Sequence, residues 1–385
     1  MDNEIFYGGP PSRLEAWLRL RKSGDPRILR LAIGVVTITW LPLLLLTAAR
    51  GDLLPRPGAG SFFQDFAVHA RYLIAVPLLI LAEAVCVPRL GAIARQFEES
   101  DLIRDSDRSR FDAALASTRR LRDSSVTELL VIALSYLMVM GLVFSVSQRF
   151  PAWQLAQGNG LEHYSLAGWW HWLVSLPLLL MLLLGWLWRL FLWTRLLWLI
   201  SRLDLHLLAS HPDHAAGLLF AGYSVRAWSL PALAPGVIAA GTIANQVVHT
   251  GASPLAFKFV VLGLVVVTVL IFTAPLAVFY GNLLAAWRSA ILEYGALAER
   301  VGHEFESKWL GLSRKFPEDP LETGAFSATT DLYQVVSNVY AMKPLPVDAQ
   351  SMIALAAATV LPFVPVLLIS EPLDVMLRKL ASFLV

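Results

Sequence analysis

Hydrophobic residues along the chain fall into seven long runs that are separated by polar connections. A helix needs about 20 mostly apolar residues to cross a hydrocarbon core of roughly 30 Å. Runs of this length therefore predict membrane-spanning helices. We place the seven spans at about 28–49, 70–88, 125–147, 169–190, 229–249, 256–283 and 351–370.

Two of these runs are unusual. In the fifth, Pro231 and Pro235 interrupt the beginning and most residues are small, so a six-span alternative with 229–249 or 351–370 re-entrant stays open. The fourth stays apolar from Trp169 to Leu203, about 52 Å of helix, which exceeds one crossing. Either this helix tilts and projects from the membrane, or it bends at Arg189 and continues along the interface. Its tryptophans predict an aromatic belt at each membrane face.

Two charged segments predict helices outside the membrane, at about 95–123 and 287–313. The first mixes arginines evenly with acids, which is typical of a solvated helix and argues against a nucleic-acid partner. The second repeats apolar residues at intervals of three and four and predicts an amphipathic helix. Its stripe must meet the rest of the chain, the membrane surface or a second subunit. It is the candidate partner or oligomer face: Trp287, Ile291, Tyr294, Val301, Phe305 and Trp309.

The composition places the chain in a bilayer, since 56% of its residues are hydrophobic and only 16% are charged. The fold class that follows is an all-α integral membrane protein, with one polytopic domain over residues 1–385. The N-terminal segment lacks the apolar stretch and cleavage site of a signal peptide, so we expect span one to direct insertion. The single cysteine, Cys86, excludes an internal disulfide.

The distribution of positive charge predicts an orientation. Lys and Arg are enriched in cytoplasmic loops, and the chain has 31 of them. With a cytoplasmic N-terminus, the connections that face outward hold only seven: Arg50, Arg56, Arg71, Arg149, Lys258, Arg378 and Lys379.

The sequence carries none of the nucleotide-binding, esterase or metalloprotease motifs, so the chemistry must come from polar groups in or near the spans. Charged residues at membrane depth are costly and are a default functional hypothesis. The predicted orientation puts two span carboxylates and one histidine-rich loop on the cytoplasmic side, where they are expected to line a vestibule. The candidate path residues are Glu83, Glu128, His206, His211, Asp213 and His214, with Asn245 and Gln246 near the opposite face.

The loop between spans four and five permits three interpretations. His206, His211 and His214 are weak candidate metal ligands, because their spacing matches no established metal motif. Histidine also titrates near neutral pH and suits a proton path. The structural interpretation is favoured: Ser210 or His211 caps a new helix, Pro212 lies in its first turn and Asp213 complements the helix dipole.

Three stretches, HPDHAAGLLFAG, ILEYGALAERVGHEFESKW and MKPLPVDAQSMIALAAATVLPFVPVLL, carry a resemblance. Together they resemble a group of bacterial multi-pass membrane proteins of no known activity, in which His-Pro-Asp and small residues follow a tryptophan-rich span. Ala216-Gly217 replaces the glycine pair usual in that group. The resemblance covers roughly the C-terminal half of the chain. It implies a bacterial inner membrane and no substrate or site.

Three functions are consistent with this pattern. The leading hypothesis is a homo-oligomeric transport protein or channel with a polar inner vestibule. The alternative is a non-catalytic assembly, sensory or defence-associated component whose cytoplasmic helices bind a protein partner. The third is a metal- or haem-dependent membrane enzyme, although no cofactor is required by the sequence. The expected partners are the lipid bilayer and a second copy of the chain.

Overall fold

The computed structural model describes residues 6, 8, 26–54, 61–146, 151–156, 164–310 and 325–370, and within these residues it is helical, without β-strands. Seven helices in this part of the chain are long and apolar enough to cross a membrane. Each overlaps one predicted span, so the all-α multi-pass fold class is confirmed. The seven are Ile28–Arg50, Phe66–Glu99, Ser125–Ser145, Leu166–Ser201, Leu219–Thr250, Pro254–Trp309 and Ala349–Ile369.

The spans are built from shorter helical segments. Span one is α1 (Pro26–Arg50), and span two combines α2 (Phe66–His69) with α3 (Val76–Glu99). After α4 (Arg108–Arg122), span three is α5 (Ser125–Val146). Span four joins α6 (Leu166–Trp170) to α7 (Leu176–Ser201), and span five joins α8 (Leu219–Ala227) to α9 (Ser229–Thr250). Span six runs through α10 (Lys258–Thr273) into α11 (Tyr280–Trp309). After α12 (Ala325–Tyr340), span seven consists of α13 (Ala349–Val360) and α14 (Val364–Ser370).

The two ends of the bundle differ. At the end that we call the short-loop end, brief connections bind each other: the Arg50 guanidinium donates to the carbonyl of Leu155 at 3.0 Å. At the other end, the extension end, helices run past the spans as far as Glu99, Ser201 and Trp309. The predicted orientation assigns the extension end to the cytoplasm.

Span four continues as an uninterrupted helix through Arg189 to Ser201, so the helix does not break at Arg189. This helix packs against α4 and residues Ala274–Phe279. Its inward side chains are buried, including Leu192, Trp193 and Ile200.

The tryptophans of span four do not form two simple belts. Trp172, Trp186 and Trp193 are buried, whereas Trp169 and Trp198 are about half exposed. The Trp186 indole donates to the carbonyl of Leu79 in span two at 3.0 Å. Most of these rings therefore join helices inside the bundle, and only two have the exposure that an interfacial belt requires.

Prolines coincide with irregular helix in spans two and four. A π-helical segment, Ala70–Ala75, precedes Pro77, and a second, His171–Ser175, precedes Pro177. Proline lacks the N–H that would bond to the carbonyl four residues earlier. For Pro177 that carbonyl belongs to Leu173, and the hydroxyl of Tyr136 in span three donates to it at 3.1 Å.

Span one shows the same arrangement at Pro42, inside α1. The carbonyl four residues earlier belongs to Ile38, and the Trp170 indole of span four donates to it at 3.0 Å. Neighbouring spans thus satisfy two backbone groups that proline leaves without a helical partner, as a hydrocarbon environment requires.

The small residues of span five allow close packing. A Cβ added at Gly241 would overlap the Cβ of Ala70, and one at Gly236 would overlap the carbonyl oxygen of Thr359. Small side chains let membrane helices approach closely. The small residues that left the prediction of this span open now explain its close packing. It is the most buried of the seven, with 61% of its apolar window inside the molecule.

Span six is the opposite case, since only 6% of its window is buried. On α10, Phe259, Leu262 and Leu270 are largely exposed, and a Cβ added at Gly263 would meet nothing within 4 Å. Most of the surface of α10 therefore faces lipid or another chain.

At the extension end, α11 and α12 form an antiparallel hairpin. A Cβ at Gly302 would lie 2.9 Å from the Tyr333 hydroxyl, and one at Gly295 would lie 3.3 Å from the Tyr340 hydroxyl. The two glycines are seven residues apart, and so are the two tyrosines. Each tyrosine of α12 therefore lies over one glycine of α11. The Trp309 and Phe326 rings meet at the far end, 4.5 Å apart.

Candidate functional site

Spans two and four share a largely buried ion pair. The Glu83 carboxylate lies 3.2 Å from the Arg189 guanidinium, with the two side chains 18% and 7% exposed. The guanidinium also lies over the Trp186 ring, 5.0 Å from its centroid. Glu83 was predicted as a path residue, but Arg189 was predicted only to mark the end of a span. Its role as the partner was missed because the two residues are far apart in sequence.

Residues ahead of span one contact span four near this pair. The Arg189 guanidinium donates to the carbonyl of Gly8 at 3.3 Å. Phe6 is buried and packs edge-on against Trp193, with ring centroids 5.6 Å apart. Trp193 lies about one helical turn beyond Arg189 toward the extension end. Phe6 therefore packs on span four about one turn from the arginine of the ion pair.

The histidine loop is organised by Asp213. One carboxylate oxygen accepts the N–H groups of Ala215 and Gly217 at 2.8 and 3.1 Å, and the other accepts the N–H of Leu219 at 3.1 Å. Leu219 is the first residue of α8, so Asp213 caps this helix from six positions away. The prediction that a helix begins near Ser210 or His211 is wrong, because residues 209–218 form turns in which His214, Ala216 and Gly217 have positive φ.

Two opposing effects set the pKa of Asp213. Burial raises the pKa of its carboxyl, but hydrogen bonds from the N–H groups of Ala215, Gly217 and Leu219 favour the charged form. The His211 ring, 2.9 Å from the carboxylate, acts in the same direction. The net result is a pKa below the ordinary value for aspartate.

The loop joins several parts of the extension end. The N–H of Lys343 donates to the carbonyl of His214 at 2.7 Å, and the N–H of His206 donates to the carbonyl of Leu102 at 2.9 Å. The Asn338 amide donates to the carbonyl of Ser210 at 3.3 Å. These contacts fix the backbone of the loop and leave the His206 side chain exposed.

The remaining predicted path residues lie on α5 and α9. Glu128 is buried at the beginning of α5. Near the short-loop end of α9, Asn245 is partly buried and Gln246 is exposed. Among the described residues, no three His, Cys, Asp or Glu side chains are grouped as metal ligands. A common vestibule for Glu83, Glu128 and the three histidines stays a prediction.

A second buried polar cluster lies near the short-loop end and was missed in the sequence. The Tyr72 hydroxyl and the His171 Nδ1 are 3.2 Å apart, and both residues are buried. Each lies in one of the two π-helical segments, a type of irregular helix that is frequent at functional sites. Pro77 and Pro177 were the available signal, but nothing local in the sequence links two residues 99 positions apart.

Neighbouring groups hold this cluster in place. The Trp40 indole donates to Nδ1 of His69 at 3.1 Å, and Nε2 of His69 lies 3.1 Å from the carbonyl of Phe62. Because an indole only donates, Nδ1 must accept and Nε2 must carry the proton, which makes this histidine neutral. The Asp65 carboxylate accepts the Trp153 indole N–H at 3.0 Å, beside His171.

The predicted stripe of α11 contacts the chain itself. Trp287, Ile291 and Tyr294 pack against the main core. Phe305 and Trp309 pack against Phe326 of α12. Packing within the subunit, one of the predicted alternatives, thus accounts for these residues, and a role in binding a partner stays a prediction.

No family model, curated protein or solved structure matches this chain.

Proposed function

We propose that this protein is a membrane transport protein or channel whose path follows spans two and four. The observation that carries the proposal is the Glu83–Arg189 pair, because charged groups at membrane depth are costly and are kept mainly where they handle ions, protons or substrates. The interrupted helices at Tyr72 and His171 support it further, since broken spans are common at transport sites.

The chemistry of the pair favours a small anion and a proton as the transported species. Arginine stays charged at all physiological pH values, whereas a carboxylate can accept a proton. Protonation of Glu83 leaves the Arg189 guanidinium without its counter-charge, so the site then attracts an anion. Loss of the proton restores the pair and releases the anion. Phe6 and Gly8 must move for release toward the extension end.

Proteoliposomes containing an entrapped pH-sensitive dye test this proposal. An imposed gradient of chloride, nitrate or phosphate should drive proton movement through the native protein for at least one of these anions. Glu83→Gln should keep anion exchange and lose the coupled proton movement, because glutamine cannot exchange a proton. Arg189→Gln should lose both.

The stability of the variants needs its own control. Removing one partner of a buried ion pair leaves the other charge uncompensated and costs about 3–5 kcal/mol. The double variant Glu83→Gln/Arg189→Gln removes both charges and should be more stable than Arg189→Gln alone. Proton movement that is unchanged in a well-folded Glu83→Gln variant would remove this pair from the path and overturn the proposal.

We infer that the chain is a homo-oligomer in a bacterial inner membrane with a cytoplasmic N-terminus. The distribution of Lys and Arg supports the orientation. Light scattering of the purified protein in detergent would measure the mass of the assembly, and a mass of one chain would contradict self-association.

The partner-binding alternative is favoured by a different face of α11. Leu292 and Leu297 are exposed on this helix, outside its covered stripe. Leu292→Lys and Leu297→Lys should abolish binding of a protein partner and leave anion flux intact. The metal- or haem-dependent alternative predicts bound metal that is lost in His211→Ala/His214→Ala, which elemental analysis and an absorption spectrum of the purified protein would detect.

A further inference from the structure

An apolar groove runs between spans six and seven near the short-loop end. It has a volume of about 350 Å³, which is within the roughly 300–1,000 Å³ of ligand-binding pockets. Its walls come from α10 on one side and from α13 and α14 on the other, with Ile243 of span five at the bottom. Leu255 and Leu262, which line it, are more than half exposed, so the groove opens sideways toward the bilayer.

The depth of the groove matches the acyl region of one leaflet. Pro254 and Lys258 lie at its beginning, immediately after α9 ends at Thr250. Val265 lies seven residues farther along α10, about 10 Å deeper at the helical rise. Along this length the lining is apolar, and Lys258 is its one charged residue. An occupant must therefore be apolar over most of its length and anionic at the short-loop end.

The charge at the mouth of the groove selects the head of the occupant. Lys258 is exposed, and its ammonium lies over the Phe259 ring, 5.1 Å from the centroid. Within the described residues no carboxylate forms an ion pair with it, and the first turn of α10 has no acidic residue. A phosphate at this level of the membrane would therefore meet an uncompensated cation.

We propose that this groove is a binding site for a phospholipid, with one acyl chain between spans six and seven and the headgroup phosphate at Lys258. The inference is independent of the transport proposal. Span six is only 6% buried by the protein, so a bound acyl chain would add packing contacts on this helix.

Native mass spectrometry of the delipidated protein in detergent, titrated with phosphatidylglycerol, tests the site. We expect one saturable lipid per chain. Leu262→Trp and Val265→Trp should each abolish it by filling the groove, and we expect the exposed Leu262 position to accept the larger ring. Lys258→Met should weaken binding roughly fivefold, the effect of one lysine near a membrane surface.

Two controls separate a site from general lipid adhesion. Lys308→Met removes a lysine that also lies over an aromatic ring, 5.6 Å from the Trp309 centroid, but far from the groove, and it should leave binding unchanged. Diacylglycerol with the same acyl chains lacks the phosphate, so its binding should not respond to Lys258→Met. Lipid adducts that persist in both tryptophan variants would overturn the proposal. Loss of a dimer in those variants would also overturn it, because the groove would then be a subunit interface.

Discussion

At the scale of single residues, several polar side chains inside the bundle bond to groups on other spans. The Ser175 hydroxyl of span four donates to the carbonyl of Thr39 at 2.7 Å, as Trp186 does to Leu79. Unsatisfied polar groups cost several kcal/mol in hydrocarbon. Glu83 and Arg189 follow the same rule with opposite charges, so a change to either residue acts on both.

Asp213 gives a prediction for a single side chain outside the membrane. Asp213→Asn should destabilise the protein by about 1–3 kcal/mol, because a neutral amide accepts the N–H groups of Ala215, Gly217 and Leu219 less strongly than a carboxylate. Thermal unfolding in detergent at pH 7 measures the loss. His211→Gln keeps the carboxylate and should cost less.

The pH dependence of this contribution follows from the lowered pKa. Aspartate in the unfolded chain titrates near pH 3.9, and the folded value lies below it. The stabilisation is therefore complete above about pH 5 and is lost as the pH falls through the folded pKa. The difference in melting temperature between the native protein and Asp213→Asn should shrink below pH 4. A difference that grows on acidification would show that the carboxylate does not cap the loop.

At the scale of helices, prolines and their donors act as pairs. Pro177 removes one helical hydrogen bond, and Tyr136 from a neighbouring span replaces it at the carbonyl of Leu173. In the same way, Pro42 removes the helical hydrogen bond to the carbonyl of Ile38, and Trp170 donates to that carbonyl. These irregular sites hold spans one, three and four in fixed register, which regular helices of leucine and valine would do less specifically.

A double-mutant cycle tests this pairing. Tyr136→Phe should cost about 0.6 kcal/mol in the native background, the typical value for a hydrogen bond between membrane helices. In the Pro177→Ala background the new alanine N–H can bond to the Leu173 carbonyl, so the same change should cost close to nothing. Unfolding in mixed micelles measures both free energies. Equal costs in the two backgrounds would mean that the hydroxyl serves another group.

Hydropathy was sufficient to predict the helices themselves. Seven runs of apolar residues became seven spans because length and composition decide whether a segment enters the bilayer. The interruptions were only partly predictable. Pro177 indicates where the helix of span four is interrupted. The π-helix of His171–Ser175 and its bond to Tyr136 depend on a span that is distant in sequence. The bounds of α8 were missed since an aspartate six residues away caps it.

At the scale of the whole molecule, burial is distributed unevenly among the spans. Spans two, four and five form the interior, whereas spans three, six and seven lie at the periphery. Glu83 could be selected from the sequence because a lone carboxylate in an apolar run is conspicuous. The partnership of Tyr72 with His171 could not, since tyrosine and histidine near a span end are ordinary interfacial residues until packing buries them.

The orientation of the whole molecule is testable with two engineered cysteines. Ser253→Cys at the short-loop end and Ser307→Cys at the extension end are both exposed, whereas the native Cys86 is buried. A membrane-impermeant maleimide applied to intact spheroplasts should label position 253 and label position 307 only after lysis. The unmodified protein is the control and should not react. The reverse pattern would place the extension end outside.

The bond between Trp170 and the Ile38 carbonyl also has a consequence for biogenesis. The two residues are separated by 132 positions, so span one enters the membrane long before the ribosome has made the indole that completes it. Until then the carbonyl that Pro42 leaves free lacks its side-chain donor inside the bilayer. The hydrogen bonding of span one is therefore complete only after span four has been inserted. We expect a nascent chain arrested before Trp170 to be a substrate for membrane proteases rather than a stable fragment.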